Sequence, residues 1–172
     1  PHGPLNPGET HISNPRSGDG LSTFRFRKRT PGTFVLVPFP KQSRSIRCQG
    51  QLEAAAAQIL VASPVVRRLE EQPLEIWYAW DDGGGIELLT GPPLRKPPLP
   101  RCASYIVPDF LVRSSDGTTR LIEVKPADKL PKPEVQRKLS VAQRFADQNG
   151  WRFLVVTEHE LRRGSLLGNL RL

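Results

Sequence analysis

The chain has 172 residues, with 25 Lys or Arg against 17 Asp or Glu, and its net charge of +8 favours a polyanionic partner. That length suits one domain with a real core plus appendages. The sequence has no run of about 18 apolar residues, no phosphate-binding glycine loop and no Cys/His cluster, which argues against a membrane span, a nucleotide-driven motor and a zinc site.

The two ends of the chain are predicted to lie outside the main domain. Residues 1–22 are rich in Pro, Gly, Ser and Asn and predict a flexible N-terminal tail. Residues 23–47 are predicted to be a basic arm, either a strand-bearing arm that lies along DNA or an edge strand. The main domain is placed at 48–165, with a C-terminal tail at 166–172.

The main domain is predicted to begin with a helix followed by strands. Residues 51–62 are helical by propensity, and the helix ends at Ser63 because a residue before proline disfavours helical dihedrals. Strands are predicted at 74–80 and 86–89, and the proline-rich loop at 91–100 cannot sustain sheet pairing.

The second half of the domain is predicted to contain a hairpin, a helix and a strand. The hairpin strands run roughly over 103–113 and 119–126, on either side of a Ser-Asp-Gly turn. A second helix is predicted over 134–149 with Gly150 as its C-cap, followed by a buried strand at 152–157. This order of elements indicates an α/β fold.

The predicted hairpin carries two carboxylates and a lysine, which are the residues that a metal-dependent phosphodiesterase needs. Glu123 and Lys125 are two apart on a strand and share a face, and Asp109 lies on the neighbouring strand. Magnesium takes oxygen ligands, usually one or two carboxylates with water and phosphate. The alternative is a solvent-facing hairpin edge with a Glu–Lys pair and an aspartate without a special role.

The register of the hairpin decides whether Asp109 joins that face. If Phe110 lies opposite Ile122, Asp109 lies opposite Glu123, whereas a slip of one residue turns its side chain to the other face. The apolar pairs favour the first register. It requires a three-residue loop, 115–117, with Gly117 in the left-handed conformation.

The sequence resembles the PD-(D/E)XK nucleases and, more closely, the TnsA family of transposon-end endonucleases. The resemblance runs from about Thr30 to Leu161 and implies a restriction-endonuclease-like core, with a mixed central sheet flanked by helices. The matching elements, in order, are Leu52-Glu53, Glu71-Gln72-Pro73, Pro108-Asp109-Phe110-Leu111-Val112, Glu123-Val124-Lys125-Pro126, the helix from Glu134, Gly150-Trp151-Arg152-Phe153 and Thr157-Glu158.

By this resemblance, Glu53, Asp109, Glu123 and the Val124 carbonyl are expected to bind Mg²⁺, with Mn²⁺ as a substitute. Lys125 is expected to orient the attacking water and stabilise developing charge. Many members of the family carry glutamine at the position of Glu123.

The resemblance also implies a function and partners. The expected activity is hydrolysis of DNA at the 5′ ends of a transposon, together with a DDE-type transposase and an AAA+ regulator, in the bacterial cytoplasm and with no membrane partner. Longer members carry a C-terminal regulator-binding domain, so a chain ending at Leu172 is consistent with a compact homologue, a trimmed chain or the nuclease part of a nuclease–transposase fusion.

The residues around the start of the second helix are the predicted DNA contacts. They are Lys129, Lys132, Gln136, Arg137 and Lys138. A solvated helix face is the alternative explanation for these charges. The competing functions are another nuclease with the same core (a junction resolvase, restriction or phage-type enzyme), a catalytically silent recruitment module, and a basic DNA- or RNA-binding protein.

Overall fold

The computed structural model describes residues 34–80, 83–92 and 103–162. The predicted N-terminal tail, the first part of the basic arm, most of the proline-rich loop and the C-terminal tail lie outside the described residues. The elements, in chain order, are β1 (Val35–Phe39), a 3₁₀ turn (Pro40–Gln42), β2 (Arg44–Cys48), α1 (Gln51–Ala62), β3 (Val66–Glu71), β4 (Ile76–Trp80), β5 (Ile86–Leu89), β6 (Ser104–Ile106), β7 (Phe110–Ser114), β8 (Thr119–Val124), a second 3₁₀ turn (Ala127–Lys129), α2 (Pro133–Gln148), β9 (Arg152–Val156) and α3 (Glu158–Arg162).

The central sheet has the strand order β3-β7-β8-β9, with β9 parallel to β8 and the other neighbours antiparallel. Alternate residues of its strands face opposite layers, as the pleat requires. Phe110 and Ile122 join the cluster that contains α1, whereas Leu111 and Leu121 join the cluster that contains α2. The fold is therefore α/β with a mixed central sheet flanked by helices, as predicted.

The hairpin of β7 and β8 has the predicted register. Phe110 is paired with Ile122, and Val112 is paired with Arg120. The loop spans three residues, and Gly117 adopts φ +82°, a left-handed conformation that glycine reaches without a steric penalty. Its N–H donates a hydrogen bond of 3.1 Å to the Ser114 carbonyl, which closes the loop.

The strand predicted over 103–113 is in fact two strands that belong to different sheets. β6 pairs with β4, and β7 pairs with β3. The break falls at residues 107–109, where Pro108 has no N–H to donate to a ladder. Asp109 thus lies at the bend between two strands, immediately before β7.

β3 and α3 were not predicted, and the prediction omitted them for different reasons. β3 reads Val-Arg-Arg-Leu-Glu-Glu, and its charges hide a strand in which Leu69, Glu70 and Glu71 are all buried. α3 has only five residues, too few for a periodic signal. α1 has the predicted bounds, and α2 begins and ends one residue earlier than predicted.

The described part of the basic arm forms the antiparallel hairpin of β1 and β2. Val37, Phe39 and Ile46 are buried in the cluster that includes α1. Leu36, on the opposite face of β1, is 63% exposed. This hairpin ends at Cys48, and Gln49 and Gly50 then lead into α1.

A second sheet, in the order β5-β4-β6, also packs against α2. Ile76 and Tyr78 of β4 share a cluster with Val141 and Ala142 of α2. In the part of the chain described above, no helix combines the length and apolarity that crossing a bilayer requires.

Candidate active site

Asp109 is fixed by hydrogen bonds to its side chain and to its backbone. Its Oδ2 accepts a hydrogen bond of 2.7 Å from the backbone N–H of Val124 on β8. Its backbone carbonyl accepts one of 2.9 Å from the N–H of Gln72, the residue after β3. The carboxylate is therefore held at the bend by neighbours on both sides of β7.

Lys125 lies between the two carboxylates of the hairpin. Its Nζ is 2.5 Å from Glu123 Oε1 and 3.7 Å from Asp109 Oδ2, and it donates to the Val124 carbonyl over 3.2 Å. The Lys125 N–H donates to the Val156 carbonyl at 2.9 Å, which continues the pairing of β8 with β9. The positively charged ammonium group therefore lies beside both carboxylates and offsets their negative charge.

Glu53 approaches this group from α1. It lies in the first turn of that helix, where its Oε2 accepts a 2.8 Å hydrogen bond from the Gln49 N–H. The charge of Asp109 contributes to the raised pKa of Glu53, so the two carboxylates are electrostatic neighbours. Burial, with the charges of Glu53 and Asp109, raises the pKa of the Cys48 thiol to about 12, so this thiol is not a reactive nucleophile.

The three carboxylates are costly to ionise together. Burial, and then the charge of Asp109, raise the pKa of Glu53 and that of Glu123 to about 7. Burial also raises the pKa of Asp109. For Lys125, burial lowers the pKa, but the charges of Asp109 and Glu123 outweigh it and leave the pKa above its ordinary value. Such a cluster favours an added cation when it is fully ionised.

The donor atoms of this cluster are all oxygens. Within the described ranges, no group of three or more His, Cys, Asp or Glu side chains is arranged so that it could hold a metal ion. The hairpin offers two carboxylates, from Asp109 and Glu123, and the Val124 carbonyl. Since Mg²⁺ is commonly held by one or two carboxylates, this set fits magnesium in the type of donor.

The predicted DNA contacts all lie in the segment that follows β8. Lys129 Nζ is 3.1 Å from Asp128 Oδ2, and Lys132 directly precedes α2. Gln136 Nε2 donates to the Leu130 carbonyl over 2.6 Å, so that amide already has a partner within the chain. Arg137 and Lys138 are exposed on the first half of α2. Their contact with DNA stays a prediction.

Two features next to the site were not predicted. Gln72 has φ +43°, which is uncommon for a residue with a Cβ, and it provides the N–H that binds the Asp109 carbonyl. Glu158 accepts a hydrogen bond of 3.0 Å from the Ala127 N–H, two residues after Lys125. The sequence does carry a signal for the helix that contains Glu158: the Thr-x-x-Glu pattern at 157–160 is typical of a helix start.

Comparison with models of protein families identifies a family for this chain. Residues 63–158 match the model of a protein family described as TnsA-like endonuclease N terminal. The matched range is more than half of the chain and includes Asp109, Glu123 and Lys125, whereas Glu53 precedes it. No curated protein matches the chain.

Proposed function

The chain belongs to the TnsA-like endonuclease family, and we propose that it is a metal-dependent DNA endonuclease that cuts the 5′ ends of a transposon during cut-and-paste transposition. The observation that carries this proposal is the group formed by Asp109, Glu123 and Lys125 on the β7–β8 hairpin. A nuclease role follows from the family; the transposon-end substrate and the metal are the proposed parts.

On this proposal, Asp109, Glu123 and the Val124 carbonyl would hold Mg²⁺ or Mn²⁺. The described side chains do not form a three-carboxylate site as they stand, so Glu53 on α1 would have to move toward the ion to act as a further ligand. The bound metal would supply Lewis-acid polarisation of the phosphoryl group and activation of water. Because the Val124 N–H and the Gln72 N–H already fix Asp109, little reorganisation of this ligand is needed when substrate arrives.

Lys125 has the properties of a group that stabilises negative charge. Its raised pKa keeps it protonated at neutral pH, and an ammonium group can donate three hydrogen bonds. Its side chain is 31% exposed, so a phosphate can approach it from solvent. We assign it the role of orienting the attacking water and stabilising the charge that develops on the phosphate oxygens. Water is the nucleophile, and no covalent enzyme intermediate forms.

The DNA path proposed for this chain runs from the hairpin to the start of α2. Lys132, Gln136 and Lys138 contact phosphates near the cut, with Lys129 and Arg137 beside them. A DDE-type transposase cuts and joins the 3′ ends and provides most of the sequence specificity, and an AAA+ regulator controls the assembly. The reaction then takes place on DNA in the bacterial cytoplasm.

A panel of substrates tests the transposon-end role. The chain is incubated with Mg²⁺ and the cognate transposase on transposon-end duplex, on the same duplex with scrambled ends and on a four-way junction. Cutting of one strand at the true ends, dependent on the transposase, is the expected result. Preference for the junction would indicate a resolvase, and equal cutting of every duplex a restriction or phage-type enzyme. The absence of any cutting would favour a recruitment module.

A further inference from the structure

Thr157 and Glu158 follow β9 and form part of the resemblance described above, but no role has been assigned to them. Thr157 is 4% exposed and begins α3 with a capping box. Its N–H donates to Glu160 Oε2 over 2.8 Å, its hydroxyl also binds Glu160, and its Oγ1 accepts from the His159 N–H at 3.1 Å. The backbone on both sides of Glu158 is therefore fixed.

The fixed backbone directs the Glu158 side chain to the chain segment that follows β8. Glu158 Oε2 accepts a hydrogen bond of 3.0 Å from the Ala127 N–H. This bond lowers the pKa of Glu158, so the acceptor is a carboxylate at neutral pH. Hydrogen bonds to a charged acceptor are roughly twice as strong as neutral ones.

The segment between β8 and the second 3₁₀ turn is thus attached at both ends. The Lys125 N–H binds the Val156 carbonyl, and the Ala127 N–H binds Glu158 two residues later. Pro126, between them, has no N–H and a restricted φ. Ala127 then begins the 3₁₀ turn that contains Lys129 and leads to α2.

We propose that Glu158 is a positioning residue for the nuclease reaction: through the Ala127 N–H it fixes the segment that joins Lys125 to the DNA-binding start of α2. The inference rests on the proposed function, because it assigns Glu158 an effect on a reaction at Lys125. Glu158 touches neither substrate nor metal in this role, and a neutral amide oxygen at the same position can still accept the hydrogen bond.

The test compares Glu158→Ala with Glu158→Gln in single-turnover cleavage of transposon-end DNA. Glu75→Ala is the matched control, since Glu75 also accepts one N–H, from Trp77 Nε1 at 3.1 Å, but lies by β4 in the second sheet. We expect Glu158→Ala to lower the cleavage rate about tenfold, with the glutamine variant and the control within about twofold of the wild type. Hydrogen exchange at the Ala127 amide should quicken in the alanine variant alone.

Failure of this inference is distinct from failure of the proposed function. The nuclease assignment is tested without Glu158, by comparing cleavage by the wild type with cleavage by Asp109→Asn. If the wild type does not cleave, both the nuclease assignment and the positioning role are overturned. If the wild type cleaves, an unchanged rate in Glu158→Ala overturns the positioning role. An equal loss in the alanine and glutamine variants, or unchanged exchange at Ala127, overturns it as well.

Discussion

The backbone N–H of Val124 donates to Asp109 Oδ2 over 2.7 Å, so the residue between Glu123 and Lys125 holds the carboxylate of the neighbouring strand. This hydrogen bond depends on the hairpin register and on the bend before β7. The backbone of β8 therefore helps to set where Asp109 points, together with the Lys125 ammonium, whose Nζ is 3.7 Å from the same oxygen. A substitution that keeps an acceptor at Oδ2 can therefore change the chemistry of residue 109 while the hairpin is retained.

The raised pKa of Glu123 predicts a pH-dependent cost in stability when no metal is present. The folded pKa is about 7 against an ordinary value of 4.5. Between these values the folded protein binds more protons than the unfolded chain, so the free energy of unfolding falls as the pH rises through this range. Glu123→Gln removes this titration. In the presence of a chelator, we expect the free energy of unfolding of the variant, relative to that of the wild type, to increase by on the order of 2 kcal/mol between pH 4.5 and pH 8. Urea unfolding measures this difference.

Glu87→Gln on β5 is the control for that measurement, because Glu87 is exposed and lies in the second sheet. Its stability should follow that of the wild type across the whole range. A constant difference between Glu123→Gln and the wild type from pH 4.5 to pH 8 would contradict the expected environment of Glu123.

Addition of magnesium should reverse part of this cost. Metal ligands must be deprotonated, so Mg²⁺ bound as proposed would compete with protons for Asp109 and Glu123. At a concentration 100 times the dissociation constant, a single bound ion stabilises the folded state by about 2.7 kcal/mol. We expect the melting temperature to rise more with Mg²⁺ at pH 8 than at pH 5, and Asp109→Asn to remove the rise. An equal rise in Asp109→Asn would place the ion elsewhere.

The DNA contact proposed for Lys138 can be separated from general charge effects by its salt dependence. Lys138→Ala should weaken binding and lower the slope of log affinity against log salt by about 0.9, the value for one phosphate contact. Arg113→Ala is the control, since it removes one positive charge from the exposed position of β7. An unchanged slope in Lys138→Ala would remove this residue from the DNA footprint.

The ion pair of Arg44 with Glu71 is expected to matter for folding more than for chemistry. Glu71 is 1% exposed at the end of β3, and burial lowers the pKa of its partner Arg44. Glu71→Ala removes the carboxylate from a largely buried guanidinium, a change that typically costs about 3–5 kcal/mol. Denaturant unfolding of this variant beside Glu87→Ala, which should stay within about 0.5 kcal/mol of the wild type, measures the effect. Similar values for the two variants would contradict it.

The hairpin was predictable because local signals agreed with one another. The apolar pair Phe110 and Ile122 and the glycine at 117 each favour the observed register, and a slip would expose the buried face. β3 was not predictable in the same way. Its buried Glu70 and Glu71 are paired with Arg68 and Arg44, and the second of these partners lies on β2, far away in sequence.

The candidate site likewise has a part that could be predicted from the sequence and a part that could not. Its four charged residues were found from the hairpin and from the family resemblance, and the structure brings them together. Their surroundings could not be deduced from the sequence, because they depend on tertiary contacts. The Gln72 N–H and the Glu158 carboxylate reach the site only once β3 and α3 have packed beside the hairpin. The bend at Asp109 likewise depends on β6 and β7 joining different sheets.

The most direct measurement is metal-dependent cleavage of labelled transposon-end DNA by the wild type, by Asp109→Asn and by Asp116→Asn, with the cognate transposase present. Asp116 lies in the loop of the same hairpin and accepts a 2.8 Å hydrogen bond from the Thr118 N–H, so it controls for an identical chemical change. We expect strand-specific cutting by the wild type and Asp116→Asn in Mg²⁺ or Mn²⁺, and a loss of at least about 100-fold in Asp109→Asn. Equal cutting by all three proteins, or none by the wild type, would contradict this expectation.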